Sequence, residues 1–503
     1  MSDSTDAYGD GTGTVGLADE VQPTSGVARD AAWSLVARIV AMVCSSATAL
    51  IVANALTASE YGGYAVVVGI NVVLVMSLDL GLTSALARYV AQARASTQLV
   101  VQVALVRIAL VGVASLVVLG AMQVPSIERS AIAALLPALA LLLLAQSAIA
   151  FHFGSLPSLR RIRLLLALTV LQPIVELALV LVVRARDASA EGMLLATVCS
   201  AGAVAILGWV VLLAPGRAAA ASIPTPSATQ LATLRMVAHY GRRIFLVSLL
   251  IAVFGQIDQF VIGLFHPLAA VAPYALVIKL QALIAAPAIT VAGIVAPRIA
   301  GAGTRALALY RQWLTFLIVL DLGAVLVVAA LAPQVFDAIG GQYRDDWPLL
   351  VGMSPFLLLA AVAPLPSITL NQTGHAGSRL RIAAITVTIN VVLDLALVPS
   401  FAATGAAIGT TAAFAYYLVQ HHRIVERALA DQTAGPVTTI NAALLAGSLV
   451  AVLVASGAWL LRLVLEGSLD VASPVALAVV PALVAALVHG AWSARIVRRP
   501  LDV

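Results

Sequence analysis

The chain has 503 residues, 62% of them hydrophobic and 10% charged, with a mean hydropathy of +1.05, a net charge of +5 and a pI near 9.5. A soluble domain carries about 25% charged residues, so this chain cannot cover a water-facing surface, and its basic excess fits loops beside an anionic membrane better than a nucleic-acid groove. Barrel strands are excluded too, because the apolar runs are too long and unbroken, which leaves helices to satisfy the backbone in lipid.

In chain order, the first element is MSDSTDAYGDGTGTVGLADE, acidic, glycine-rich and without Lys or Arg. Residues 1–30 therefore read as a disordered cytoplasmic tail and not as a signal peptide, which needs a basic start and a short apolar core. A membrane-crossing helix takes about 20 mostly apolar residues. Runs of that kind lie at 31–55, 64–81, 98–121, 131–152, 164–183, 192–214, 243–265, 274–296, 312–333, 349–370, 381–399, 402–420, 441–464 and 473–494. The longest connection, 215–242, contains PGRAAAASIPTPSATQ and separates two sets of six spans. Cys44 and Cys199 both fall inside spans and read as small buried hydrophobes.

Basic residues orient the spans. With the N-terminus inside, twenty of the 28 Lys and Arg residues fall on cytoplasmic segments and five on the opposite side, while Arg38, Arg107 and Lys279 lie within spans. That bias predicts a multi-pass plasma-membrane protein with both termini in the cytoplasm.

The chain also repeats itself. A shift of 210 positions lays Tyr64 on Tyr274 and Arg88 on Arg298. A shift of 218 lays RIRLLLALTVLQPIVELALV, from Arg161, on RLRIAAITVTINVVLDLALV, from Arg379. Arg161, Arg163, Gln172 and Glu176 then meet Arg379, Arg381, Asn390 and Asp394. Greasy segments resemble one another by chance, but a shared R-x-R, amide and acid at equal spacing do not follow from greasiness. The expected fold is an all-α membrane protein of about 14 transmembrane helices. It comprises an N-terminal six-helix bundle (31–214), a cytoplasmic linker (215–242), a parallel C-terminal six-helix bundle (243–425), an extra helix pair (441–494) and a cytoplasmic tail (495–503). Parallel repeats of this kind are related by an axis along the membrane normal, and the halves of such transporters rock about a central cavity.

Three stretches carry a family resemblance. LTASEYGGYAVVVGINVVLVMSLDLGLTSALARYVAQ (56–92) resembles the first-loop and second-helix signature of Wzx-type oligosaccharide flippases, an xEYGxYA turn before a helix ending in DLGL and an arginine. DQFVIGLF followed by PYALVIKLQ (258–281) is similar to their seventh-helix aspartate and eighth-helix Y-x-x-x-x-K pattern. LDLALVPSFAATGAAIGT (393–410) resembles their eleventh-to-twelfth helix turn. The resemblance covers roughly 31–425 and points to the superfamily that also holds multidrug exporters and lipid II flippases; the N-terminal motifs of the lipid II branch are not evident. It implies two six-helix bundles forming a V around a lumen. The implied cargo is a polyprenyl-pyrophosphate-linked oligosaccharide, and the implied partners are a polysaccharide polymerase and glycosyltransferases. Physics agrees with a sheltered path, since each unpaired polar group in hydrocarbon costs several kcal/mol. The chain has no GxxxxGK[ST] loop and no soluble catalytic domain, so the expectation is a transporter and not an enzyme, without cofactor, coupled to H+ or Na+.

Charges inside spans are expensive and mark function by default. Arg38 lies roughly 10 Å into span 1, within snorkelling reach. Arg107 is near the middle of span 3, where it holds the pyrophosphate or pairs with a carboxylate. Lys279 lies one and a half turns from the outer end of span 8. Arg38, Arg107 and Lys279 are the head-group candidates. Asp258, beside Gln256 and Gln259 in span 7, is a proton or sodium carrier or the partner of Lys279 or Arg107. Asp321, Glu176 and Asp394 complete the ion-coupling and charge-partner set. Asp79, at the end of span 2, reads as a structural carboxylate that caps backbone N–H groups and faces water. Five acids against three bases also suit a cation-coupled multidrug exporter, and a membrane scaffold for glycosyltransferases is the reading from a different class.

Overall fold

The computed structural model describes residues 24–83, 97–124, 132–156, 161–186, 188–213, 245–373 and 376–430. The linker 215–242, the helix pair 441–494, the tail 495–503 and residues 1–23 lie outside them; residues 24–30, expected as the end of a disordered tail, are instead the start of the first helix. Every regular element among the described residues is helical. The long helices are α1 (Thr24–Ala55), α2 (Ala58–Asp79), α3 (Thr97–Ala121), α4 (Leu136–Ser155), α5 (Ile162–Arg186) and α6 (Ala190–Leu213). Next come α7, made of Phe245–Phe254 and Ile257–Phe265, then α8 (Val271–Ala300), α9 (Ala306–Ala330), α10 (Ser354–Gln372) and α11 (Ala376–Ala430).

Local chemistry sets several boundaries. Thr57 and Glu60 form a reciprocal capping box at the start of α2: the Glu60 amide donates to Thr57 Oγ1 at 3.3 Å and the Thr57 amide to Glu60 Oε2 at 2.9 Å. The same helix ends in two left-handed residues, Leu80 (φ 48°) and Gly81 (φ 71°), which turn the chain so that Thr83 returns beside Asp79. Gly154 of α4 leaves the space that the Thr83 methyl fills.

Ten helices among the described residues are long and apolar enough to cross a membrane, or eleven if the bent pair in α7 counts as one span. Two spans differ from the sequence expectation, and the structure locates the turn between a further pair. The span expected at 243–265 as one rod breaks at Gly255–Gln256 and bends by 41°. The span expected from 349 starts at Ser354, because Trp347–Gly352 forms a separate short helix. The spans expected at 381–399 and 402–420 are arms of one helical hairpin. Straight, the 54 residues of Gly377–Ala430 would run about 80 Å, well beyond a hydrocarbon core of about 30 Å. The chain instead reverses at Ala402 (φ 47°, ψ −131°), three residues after Pro399. Gly405 then lies against Leu397, and Gly409 against Leu393 and Asp394, which makes the arms antiparallel.

Packing follows two sets of neighbours. In the first, α1 rests on α5, α4 lies between α3 and α6, and α5 touches α6. In the second, α8 lies against α9 and α10, and α11 packs on α10 and on the second segment of α7. Contacts of α2 and α1 with α8 join the sets. At the Tyr61 end the junction is tight. A Cβ on Gly62 would overlap the Leu268 carbonyl. Asn54 Nδ2 donates to the Ile339 carbonyl at 2.8 Å, and Gln342 Nε2 donates to the carbonyls of Leu56 (2.7 Å) and Ala53 (3.1 Å). Toward the other end, a cavity of about 170 Å³ opens between α2, α3, α4 and the start of α7.

Overpacking a close backbone contact costs about 1–3 kcal/mol. Gly405→Val, whose Cβ would sit 2.7 Å from the Leu397 carbonyl carbon, is expected to lower the melting temperature of the detergent-solubilised protein. Gly323→Ala, which meets nothing within 4 Å, is expected to leave it unchanged.

Candidate functional site

The densest polar cluster in the second set of helices is built from four helical segments. Asp258 stands in the first turn of Ile257–Phe265, where the break in α7 aims the positive end of a short helix dipole at its carboxylate. Tyr274 comes from α8. Asn390 and Asp394 lie one turn apart on the first arm of α11, and Thr410 faces them from the second arm. The arms approach closely because Gly409 has no side chain, and a Cβ there would stand 2.5 Å from Asp394 Oδ1. Thr410 Oγ1 donates to Asp258 Oδ2 at 2.7 Å, and the Tyr274 hydroxyl donates to the same oxygen. Asn390 Nδ2 bridges the two acids, donating to Asp258 Oδ1 at 3.0 Å and to Asp394 Oδ2 at 3.1 Å.

The burial of this cluster decides its chemistry. Asp258 is 3% exposed and Asp394 and Asn390 are 0% exposed. Neither acid takes part in an ion pair among the described residues, whose pairs are Arg107–Asp79, Arg311–Glu426, Arg344–Asp337 and His422–Glu426. Two buried carboxylates sharing one amide cannot both stay charged without a proton or a cation between them. The residues fit a small hard cation. Asn390 Oδ1 and Asp394 Oδ1 are buried acceptors without a hydrogen-bond partner, and the other ligating atoms on offer are oxygens of Asp258, Thr410 and Tyr274. An all-oxygen set with two carboxylates suits sodium or a proton, not a soft metal.

A second cluster spans both sets of helices. Thr197 Oγ1 of α6 donates to Glu176 Oε1 of α5 at 2.8 Å. Tyr64 of α2 adjoins both, and Lys279 of α8 faces Glu176 electrostatically across the junction. Lys279 is exposed and makes no hydrogen bond or close ion pair among the described residues. Its flexible ammonium is a point charge available to an anion.

Arg107 is held. It is 4% exposed, pairs with Asp79, and donates to Ser147 Oγ at 2.9 Å and to Thr83 Oγ1 at 2.8 Å. Of its two expected roles, this geometry is the carboxylate pair. Asp79 therefore does not cap backbone N–H groups. It stands at the C-terminal end of α2, where the free groups are carbonyls and the dipole disfavours an anion, so the guanidinium supplies the compensation. Arg38 is exposed and unpaired near the start of its span, which is the snorkelling position. Asp321 is 1% exposed in α9, with Oδ2 lacking a hydrogen-bond partner, away from the three clusters.

Asp258 and Asp394 thus meet through Asn390 and Glu176 faces Lys279 without a close ion pair, while Arg107 pairs with Asp79. Sequence reasoning passed over Asn390, Thr410, Tyr274, Tyr64 and Thr197 as site residues. One signal was available: the repeat that equates Tyr64 with Tyr274 and Glu176 with Asp394 also places each tyrosine near its acid in space.

Removing one partner of a buried pair costs about 3–5 kcal/mol. Asp79→Asn and Arg107→Gln are each expected to destabilise the protein, and the double variant to recover much of the loss. A thermal-melt double-mutant cycle without coupling would contradict the pairing.

A family model described as "Polysaccharide biosynthesis protein" matches residues 27–302. No curated protein matches the sequence. Among solved structures, the lipid II flippase MurJ in an inward closed conformation aligns with TM-score 0.66 at 10% identity, over 94% of this chain and 100% of that one. An inward-facing multidrug resistance MATE family transporter of the MOP superfamily aligns with TM-score 0.62 at 16% identity, over 80% and 100% of the two chains. The Vibrio cholerae MATE transporter VcmN in its bent form aligns with TM-score 0.51 at 14% identity, over 81% and 98%. At these identities the likeness is one of fold.

Proposed function

The chain belongs to the polysaccharide biosynthesis protein family, and from that premise we propose that it is a Wzx-type flippase. It carries a polyprenyl-pyrophosphate-linked oligosaccharide repeat unit from the cytoplasmic to the outer leaflet by ion-coupled alternating access. The observation that carries this reading is Lys279, an exposed lysine of α8 that faces Glu176 across the junction of the two sets of helices and makes no close ion pair among the described residues. An anionic pyrophosphate entering the junction competes with Glu176 for that ammonium. Tyr64 and Thr197 offer hydroxyls to the sugar hydroxyls that follow. The closed junction at Gly62 and Leu268, with a cavity beside Asp79 and Thr83 at the far end, supports a state sealed on one side.

Coupling is assigned to the acid pair. The transported ion is a proton or sodium, held by Asp258, Asp394, Asn390 and Thr410. Occupancy removes the repulsion between the carboxylates and so favours the compact arrangement of α7 against α11. Both termini lie in the cytoplasm, as the arginine bias requires, and the products are handed to a polysaccharide polymerase. The acid pair also favours a second reading, a cation-coupled multidrug exporter, in which the junction takes a cationic drug and Glu176 is the binding charge.

Two measurements test the assignments. Lys279→Ala is expected to abolish surface polysaccharide and trap the lipid-linked precursor inside, with the variant still present in the membrane; normal export in a strain lacking a redundant flippase defeats the proposal. Dye efflux that depends on Glu176 and survives Lys279→Ala would instead establish the drug-export reading. For the ion site, sodium is expected to raise the melting temperature of the purified protein relative to potassium, or protonation to do so in its place. Asp394→Asn is expected to abolish whichever response is seen.

A further inference from the structure

The end of the molecule opposite the start of α1, which the arginine bias places at the outer surface, is crossed by a strap of two amides. Asn54 and Gln342 are both exposed, and neither belongs to the three clusters. α1 ends at Ala55, and the last four carbonyls of a helix lack a partner within it. Gln342, in the connector between α9 and α10, reaches over from the second set of helices. Its Nε2 donates to two carbonyls at that end, Ala53 at 3.1 Å and Leu56 at 2.7 Å. In the reverse direction, Asn54 Nδ2 of α1 donates to the Ile339 carbonyl of the connector at 2.8 Å.

The partners fix which way each amide points. A guanidinium only donates, so the Arg184 bond of 2.9 Å identifies the Asn54 oxygen and turns Nδ2 toward Ile339. Gln342 faces two carbonyls, which only accept, so both its amide hydrogens are committed. Beneath the strap the closure carries a defect. Tyr61 and Tyr343 are buried and meet edge-on at 6.3 Å between ring centroids, and the Tyr343 hydroxyl has no hydrogen-bond partner among the described residues. An unsatisfied buried hydroxyl opposes the closed arrangement and regains water when the junction parts. The strap's bonds run from neutral amides to backbone carbonyls, and water can replace each of them at a small net cost.

We propose that Asn54 and Gln342 are the latch of an outer gate, holding the outer end shut in this state and letting go when the two sets of helices part there. The proposal rests on the alternating-access reading and adds to it the residues that release. Because neither amide carries a charge, the latch itself responds to neither pH nor salt.

Two experiments on the full chain test it, both in a background of Cys44→Ala and Cys199→Ala, since both native thiols are free. In the first, Asn54→Cys and Gly340→Cys replace the latch by a covalent one. A Cβ on Gly340 would lie 3.9 Å from Asn54 Cα, and the Gly340 backbone is extended (φ 163°), so the two thiols come within disulfide reach. Oxidation is expected to bridge them and stop polysaccharide export, reduction to restore it, and neither treatment to alter the single variants. Export that continues through a formed bridge overturns the latch and leaves the flippase reading standing. Failure of the bridge to form shows that the two ends do not meet and overturns it as well.

The second experiment needs no cargo. Ile339, 2% exposed, is replaced by cysteine, and the purified protein in nanodiscs is labelled with a water-soluble maleimide. Asn54→Ala with Gln342→Ala is expected to raise the labelling rate about tenfold or more. Arg344→Ala, which breaks only the exposed pair with Asp337 in the same connector, is expected to leave it unchanged. A cysteine in place of Leu143, 0% exposed in α4, is expected to stay unlabelled throughout, which separates opening from unfolding. Equal rates at position 339 in the parent and the double variant overturn the latch, as does equal labelling of positions 143 and 339. If labelling responds as expected while the unmodified chain exports no polysaccharide, the gate stands and the flippase reading fails.

Discussion

The structure depends on one electrostatic constraint: two carboxylates, Asp258 and Asp394, are buried together and joined by a single amide, Asn390. In a medium of low dielectric their repulsion is large, and desolvation adds to it. Hydrogen bonds from Thr410, Tyr274 and Asn390 stabilise the Asp258 carboxylate, and a proton on its neighbour or a cation between the two acids offsets the rest.

Backbone proximity makes the cluster possible. The hairpin arms approach because Gly405 and Gly409 carry no side chain, and the chain reverses at Ala402 within a few residues. In lipid, helices gain nothing from a hydrophobic drive toward one another, and small residues that allow close contact take its place. Gly62 plays the same part against the Leu268 carbonyl at the junction between the two sets of helices. The break at Gly255–Gln256 adds a helix N-terminus inside the membrane, which is tolerated because it is buried in protein. The glycines that bring backbones together and the glycine that interrupts one are therefore parts of the same device.

The two sets of helices share a template and diverge in charge. Each places a tyrosine, Tyr64 or Tyr274, beside an acid, Glu176 or Asp394. In the first set the acid faces a cation from across the junction, Lys279. In the second it faces another acid from its own side, Asp258. The same framework thus sets an acid opposite a lysine in one place and an acid beside a second acid in the other. The Arg107–Asp79 pair is separate from both and ties α3 to the turn after α2.

What the sequence determined by itself was local. Lengths of apolar runs located the helices, because the bilayer imposes a fixed number of residues per crossing. Arginine placement indicated an orientation, and the 218-residue shift singled out Glu176 and Asp394 as equivalent acids before any contact was known. Which charges meet was a matter for the tertiary structure alone. Asp79 looked like a solvated helix end, yet it holds Arg107 from a helix that begins 18 residues later. Asn390, marked in the sequence only as the amide of the repeat, and Thr410 reach Asp258 because the chain folds back at Ala402. Hydrophobic periodicity reports how each helix meets lipid and core, but pairing between helices depends on their relative rotation and on close backbone approach. Those quantities have no local signature, and so the partners of every buried charge had to be read in three dimensions.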